Sequence, residues 1–306
     1  MAVTARKPRA LRAGARVALV APAGPLDADR IERSVARCRA LGLEPVVFPS
    51  AAAHHGFLAG TDVLRLRDVQ DAFDDLSIDA VWALRGGYGT LRIVDRIDLA
   101  RQREAPIPFI GFSDNTTLHV RHAELGVVSF HGPHPGADFP PETEAAFRRV
   151  LFDAAPAGGL PLRAGDPAPR GLVGGVVDAP LVGGNLAVLA ALCGGPNPLQ
   201  ARGRILLPED VGEPAYRIDR MLVQLERSGM TEGVVGLAFG RFTAAPGDDH
   251  PIEDVLRDFA ERVGVPTVVD LPFGHVEHNW TLPIGVRAAL DGNDGTLTLL
   301  EAAVEG

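Results

Sequence analysis

Over the first 131 residues, short apolar runs alternate with stretches of helical spacing, and each run ends in a turn rich in glycine, proline or polar residues. Residues 17–21 form such a run and lead into Pro22-Ala23-Gly24-Pro25. From 27 to 41, Ile31, Val35, Cys38 and Leu41 fall on one helical face, and Gly42 stops the helix. Further strands are expected at 44–48, 80–84, 108–111 and 127–131. Thr61 suits the N-cap of a helix through Leu64, Leu66, Val69 and Phe73, another helix is expected to begin near Thr90, and Ser113-Asp114-Asn115-Thr116 opens one more. This alternation implies parallel strands joined by right-handed crossovers. Ligands of such a sheet bind beyond the C-terminal ends of its strands. Three loops leave those ends with unusual chemistry: residues 22–25, the glycine-rich Arg85-Gly86-Gly87-Tyr88-Gly89, and the Ser113 turn.

The pattern changes near residue 154, where proline, alanine and glycine dominate as far as Arg170. The reading is an N-terminal α/β domain over 1–153, a linker over 154–170 and a second domain over 171–306. The second part has strand-like runs at 204–207, 234–242, 267–270, 288–291 and 296–300, with helices at 186–192, Ala215–Arg227 and Ile252–Val263. No internal repeat is found.

Composition narrows the function. The 30 basic and 39 acidic side chains give a net charge of −9, which argues against a nucleic-acid binder that relies on a global positive field. Aromatic residues are 6%, too sparse for a platform that stacks single-stranded bases. Cys38 and Cys193 stand alone, with no C-x-x-C, and read as reduced thiols. No apolar run approaches the ~18–20 residues that span a bilayer. The basic start, Arg6 to Arg12, is followed by a run too short for a signal peptide, so the expected compartment is the cytoplasm, with no membrane partner.

The densest chemistry lies at Gly111-Phe112-Ser113-Asp114-Asn115. A serine on a sharp strand-to-helix turn is pushed into the cleft beside free backbone N–H groups, as in the G-x-S-x-G nucleophile elbow. A helix cap explains Ser113 equally well. The glycines after Arg85 let backbone amides approach a ligand closely, but Gly87-Tyr88-Gly89-Thr90-Leu91-Arg92 lacks the third glycine of a dinucleotide fingerprint. An oxyanion donor fits that loop better. A serine nucleophile needs a base and an orienting carboxylate. His275 and His278 are candidates for the base, in a loop after a strand. Glu209, just past an apolar strand, is the carboxylate candidate, with Asp210 and Glu213 as neighbours. Metal is disfavoured: His131-Gly132-Pro133-His134 is too constrained by proline, and no second cluster supports Gly247-Asp248-Asp249-His250-Pro251.

Taken in order, Val20-Ala21-Pro22-Ala23-Gly24, the Arg85 loop, Gly111-Phe112-Ser113-Asp114, Leu181-Val182-Gly183-Gly184-Asn185-Leu186, Leu207-Pro208-Glu209-Asp210 with Tyr216-Arg217-Ile218-Asp219-Arg220, and Gly274-His275 with Leu282-Pro283-Ile284-Gly285 resemble the LD-carboxypeptidases, the muramoyl-tetrapeptide carboxypeptidase family of serine peptidases. Pro208 stands where that family more often has an apolar residue. The resemblance implies an N-terminal parallel-sheet α/β domain and a smaller β-rich C-terminal α/β domain, with the active site at their interface. It implies a triad of Ser113, Glu209 and His275, and oxyanion donors at the backbone N–H groups of Gly87 and Asp114. His278 is displaced, because the family histidine directly follows the glycine. The implied reaction is hydrolysis of the amide between the L-centre of a diamino acid and the terminal D-alanine of a murein tetrapeptide. No cofactor or metal is implied, and a homodimer is expected. A carboxypeptidase binds a free carboxylate, for which Arg85 and Arg217 are the candidates by position. The microcin C immunity branch, which hydrolyses aminoacyl or peptidyl nucleotide analogues, is the alternative within the family. A non-catalytic α/β ligand-binding protein is the alternative outside it, and it would not need Ser113 and His275 within hydrogen-bond reach.

Overall fold

Val17, Ala18, Leu19 and Val20 are all fully buried, as a strand covered on both faces requires. In the computed structural model, which describes residues 5–247 and 250–306, this strand is β1 (Arg16–Val20). It is followed by α1 (Ala28–Ala40), β2 (Glu44–Val47), α2 (Asp62–Asp74), β3 (Ala80–Ala83), α3 (Ala100–Glu104), β4 (Phe109–Gly111), α4 (Thr116–Leu125), β5 (Ser129–His131) and α5 (Pro141–Leu151). Asp27 and Thr61 cap α1 and α2 through their side chains, and Gly126 ends α4 in the left-handed conformation. The later elements are β6 (Gly158–Gly159), β7 (Arg170–Val173), β8 (Val176–Asn185), α6 (Leu186–Ala191), β9 (Ile205–Glu213), α7 (Ala215–Arg227), β10 (Gly236–Ala238), β11 (Phe242–Ala244), α8 (Ile252–Val263), β12 (Thr267–Val269), β13 (Leu282–Ile284), β14 (Arg287–Asp291) and β15 (Thr296–Leu299).

The first sheet runs β13-β5-β4-β3-β1-β2. Its strands from the first half are parallel, and β13 joins antiparallel to β5. The second sheet runs β6-β15-β14-β8-β9-β10-β12-β7, with β11 also on β9. Its centre, β8-β9-β10-β12, is parallel, and its flanks are antiparallel. The chain is thus the expected mixed α/β fold with a β-rich second part. Along β1 the side chains divide by period two: Ala18 and Val20 pack with α2 and Phe109, while Val17 and Leu19 join a core that continues into Leu181, Leu206 and Leu237 of the second sheet. One apolar mass therefore ties both sheets together.

Several local differences from the sequence reading appear. The helix expected near Thr90 is instead two short 3-10 turns, Thr90–Arg92 and Val94–Arg96; Gly89 leads into them at φ +133°, and the Thr90 N–H donates to the Asp114 side chain at 2.7 Å. The run at 234–242 breaks into β10 and β11 around Gly240, whose N–H turns to the Pro208 carbonyl. Among the elements that go beyond the expectation are α5 and β13. Pro141 starts α5 because a first-turn proline loses no helical bond, and Pro283 is tolerated in β13 because that strand lies on a sheet edge. Residues 158–159 of the proline-rich segment pair with β15. Asp248 and Asp249 lie outside the described residues.

Candidate active site

Ser113 directly follows the residue after β4 and has φ +63°, a left-handed conformation rare for any residue but glycine. The strain is held by close packing: a side chain on Gly86 would collide with Ser113 Cβ at 2.6 Å. Ser113 caps no helix. A 3-10 turn over Ser113–Asn115 precedes α4, and neither turn nor helix has a side-chain cap. The hydroxyl is left facing His275, with Oγ 3.1 Å from Nε2. His275 Nδ1 lies 2.8 Å from Glu209 Oε2. An Nδ1–H donated to the carboxylate leaves the Nε2 lone pair to accept the Ser113 O–H.

Each partner is placed by a different element. Glu209, expected just past a strand end, is fully buried within β9, which runs on to Glu213, and sits beside Asn185 of β8 in the parallel ladder. His275 follows β12 on a loop fixed by Gly274, whose φ is +108° and whose missing side chain makes room for Glu209 Oε2. That loop is also tied to the proline-rich segment: Trp280 Nε1–H donates to the Pro161 carbonyl at 2.7 Å, and Arg163 pairs with Glu277 at 3.0 Å. His278, the other base candidate, is buried against Asp166 at 3.1 Å. Asp210 lies behind Glu209 and accepts from Asn185 Nδ2 and the Ala187 N–H, which ties β9 to the start of α6. Burial pushes its carboxyl up to about 6. Glu213 binds Arg217 Nε at 3.1 Å.

Burial opposes ionisation of Glu209, yet the imidazoles of His131 and His275 more than offset it and draw the carboxyl down to about 2. Burial likewise opposes charge on His275, and the Glu209 carboxylate overrides it and raises the imidazole above its ordinary value. The arrangement is a base whose conjugate acid is stabilised by a permanently ionised partner.

Among the described residues, no hydrogen bond within the protein uses the N–H of Gly87 or of Asp114. Gly87, at φ +111°, opens onto a cavity of about 540 Å³ lined by Gly24, Pro25, Phe57, Arg85, Gly87 and Tyr88. Arg85 donates from Nη1 to the Pro25 carbonyl at 2.7 Å and has no carboxylate partner among the described residues. Arg217 stands on the first turn of α7, half-exposed and paired with Glu213, and is not part of that cavity wall. Arg30 on α1 escapes the sequence reading. Its Nε is buried without a partner, and burial and the charges of Arg85 and Arg33 hold its pKa below the ordinary arginine value. A helical arginine carries no sequence signal that separates it from a solvated one.

A mixed α/β fold with a hydrogen-bonded serine, histidine and glutamate at the meeting of two sheets defines a serine hydrolase. Residues 17–132 match the LD-carboxypeptidase N-terminal domain and residues 178–290 the LD-carboxypeptidase C-terminal domain. The chain is 35% identical over 287 residues to the murein tetrapeptide carboxypeptidase of Pseudomonas aeruginosa, covering 91% of this chain and 94% of that one. The crystal structure of muramoyltetrapeptide carboxypeptidase from Oxalobacter formigenes superposes with a TM-score of 0.81 at 29% identity, covering 95% of this chain and 100% of the other. The microcin C7 self immunity protein MccF shares the fold, with a TM-score of 0.88 at 20% identity over 98% of this chain and 100% of that one. The chain belongs to the LD-carboxypeptidase family and is a serine carboxypeptidase. Among the described residues no helix is long and apolar enough to cross a membrane.

Proposed function

We propose that the protein removes the terminal D-alanine from murein tetrapeptides by hydrolysing the amide to the L-centre of the preceding diamino acid. His275 takes the Ser113 proton as Oγ attacks the carbonyl, and Glu209 holds the imidazole and stabilises its charged form. The N–H groups of Gly87 and Asp114 receive the oxyanion. His275 then protonates the leaving amine, and water resolves the acyl-enzyme by the same route. Arg85, on the wall next to Gly87, binds the D-alanine carboxylate. Arg217 is the weaker candidate because Glu213 already holds it. The two parts, 1–153 and 171–306, each bring part of the triad to the cleft, and the role assigned is recycling of murein peptides in the cytoplasm by a homodimer.

The observation that carries this reading is the unbroken series from Glu209 through His275 to Ser113, with Ser113 at φ +63°. The relatives named for murein peptides support the choice of substrate. The test incubates wild type and Ser113→Ala with a tetrapeptide ending in D-alanine, with and without chelator, and follows products by mass spectrometry. Release by wild type alone is expected. Release by both proteins would make Ser113 dispensable. No release by either, with hydrolysis of an aminoacyl sulfamoyl adenosine by wild type, would move the protein to the microcin-type chemistry.

A further inference from the structure

Glu209 presents two oxygens, and the triad uses one. Oε2 accepts from His275, whereas Oε1 is buried and has no hydrogen-bond partner among the described residues. Facing it is His131, the last residue of β5, with Nε2 at 3.8 Å. His131 is 1% exposed, and neither of its ring nitrogens has a hydrogen-bond partner. Its walls are rings: Phe273 edge-on at 5.7 Å, Phe112 edge-on at 5.8 Å and His119 at 5.9 Å. Buried polar atoms are rarely left unpaired, and two of them, Glu209 Oε1 and His131 Nε2, face each other here. An approach of about 1 Å would bring Nε2–H to hydrogen-bond length.

The other titratable groups around the ring do not compete for it. His119 on α4 is fixed neutral, with Nε2–H donating to the Gly111 carbonyl at 2.8 Å and Nδ1 accepting from the Ser129 hydroxyl at 2.9 Å. His134 is held well below its ordinary value by burial and by the charge of Arg30. Asp210 is turned to Asn185, Ala187 and Val211. His275 reaches His131 only through the Glu209 carboxylate that they share.

We propose that His131 is a positioning residue for the reaction: its imidazole N–H closes on Glu209 Oε1 and keeps Oε2 turned to His275 Nδ1 while charge develops on that ring. The inference rests on the triad proposed above. It explains why a polar ring sits in an apolar cage behind the carboxylate, since a leucine or phenylalanine would fill that space at lower desolvation cost. With His131 present, the carboxylate charge is divided between two imidazoles. Without it, the whole charge falls on His275, which then binds its proton more tightly but is no longer held in line.

The test uses the full chain with isotope-labelled histidine. The His275 signals are assigned by their loss in His275→Gln, and the ring is titrated by NMR in wild type, His131→Leu and His131→Gln. In His131→Leu the His275 midpoint is expected to rise by about half a pH unit or more. Its kcat for D-alanine release falls about 10- to 100-fold at nearly unchanged KM. His131→Gln, whose amide N–H reaches the same oxygen, recovers most of both. If His131→Leu does not fold, His131→Asn replaces it, because its shorter side chain stays polar but falls short of Oε1. A His275 midpoint unmoved in the leucine or asparagine variant, or equal kcat in that variant and His131→Gln, would reduce His131 to packing and overturn the proposal. D-Alanine release by Ser113→Ala would instead overturn the triad, and the titration would still report the His131–Glu209 contact.

Discussion

Alanine at Gly86 tests whether the position of Ser113 is what the site depends on. Gly86 has no positive φ, so its backbone accepts alanine without strain. An ideal Cβ there would lie 2.6 Å from Ser113 Cβ and 2.7 Å from Oγ, where ordinary contacts fall at 3.4–4 Å. One of the two must yield by about 1 Å, and Ser113 is the one already held in a strained conformation. A misplacement of that size costs about 100-fold in rate, or about 2.7 kcal/mol in the barrier. The overpacked core loses roughly 1–3 kcal/mol of stability as well. The assay is release of D-alanine under saturating substrate, with thermal unfolding run on the same samples. Gly159→Ala serves as the control, because nothing lies within 4 Å of its Cβ and its φ is not positive. It should keep full activity and melting temperature. A Gly86→Ala enzyme with kcat within about threefold of wild type would refute the argument that Gly86 sets the serine.

Three further outcomes follow from the same geometry. His275 acts as a base only when neutral and is raised above the ordinary 6.5, so the acidic limb of kcat/KM should fall above that pH; a limb at or below 6.5 would remove His275 from the role. Glu209 is drawn from 4.5 to about 2, so its stabilisation is present above 4.5 and is lost as the pH falls toward 2; His275, raised, stabilises fully below 6.5 and loses that contribution as the pH rises through its folded value. Unfolding of wild type and Glu209→Gln should therefore differ most near pH 5 and converge toward pH 2, and a constant gap would contradict the linkage. Arg85→Ala should raise KM for peptides with a free C-terminal carboxylate by about 10-fold or more and leave their amides little changed, and equal effects on both would rule out the carboxylate contact.

The contrast between what could and could not be read in the chain lies in how far each signal reaches. Val17 to Val20 announces a doubly covered strand because every residue of it is apolar, and Asp27 and Thr61 announce helix starts because capping is a local hydrogen bond. The Ser113 turn is equally local: a glycine, a serine and a helix start lie within a few residues. Glu209 and His275 are legible for a different reason. Each sits at the end of an apolar run in a motif whose spacing is quoted in one stretch of chain, although they meet only after two sheets pack. What stays hidden depends on register between distant segments. Leu282-Pro283-Ile284 falls in the stretch that reads as a loop after a strand, and only the edge position of β13 on β5, where a proline is tolerated, makes it a strand.

His131 is the sharper case. In the chain it belongs to a proline-bound histidine pair at the end of an expected strand, yet β4–β5 pairing sets it opposite Gly111, two residues before Ser113. The second sheet then brings Glu209 to within 3.8 Å of it. The glycines obey the same logic. Gly274 looks like a turn residue and Gly240 lies inside an expected strand, but an added Cβ on either would strike Glu209, at 2.5 Å from Oε2 for Gly274 and 2.9 Å from Cβ for Gly240. Gly184, at φ +141°, leaves room for Thr116, whose Oγ1 accepts the Asn185 N–H at 2.9 Å and ties the start of α4 to the end of β8. These residues do no chemistry. They let strands from two sheets approach closely enough for three side chains to share one line of hydrogen bonds, and that approach is a property of the packed chain that no single stretch of sequence states.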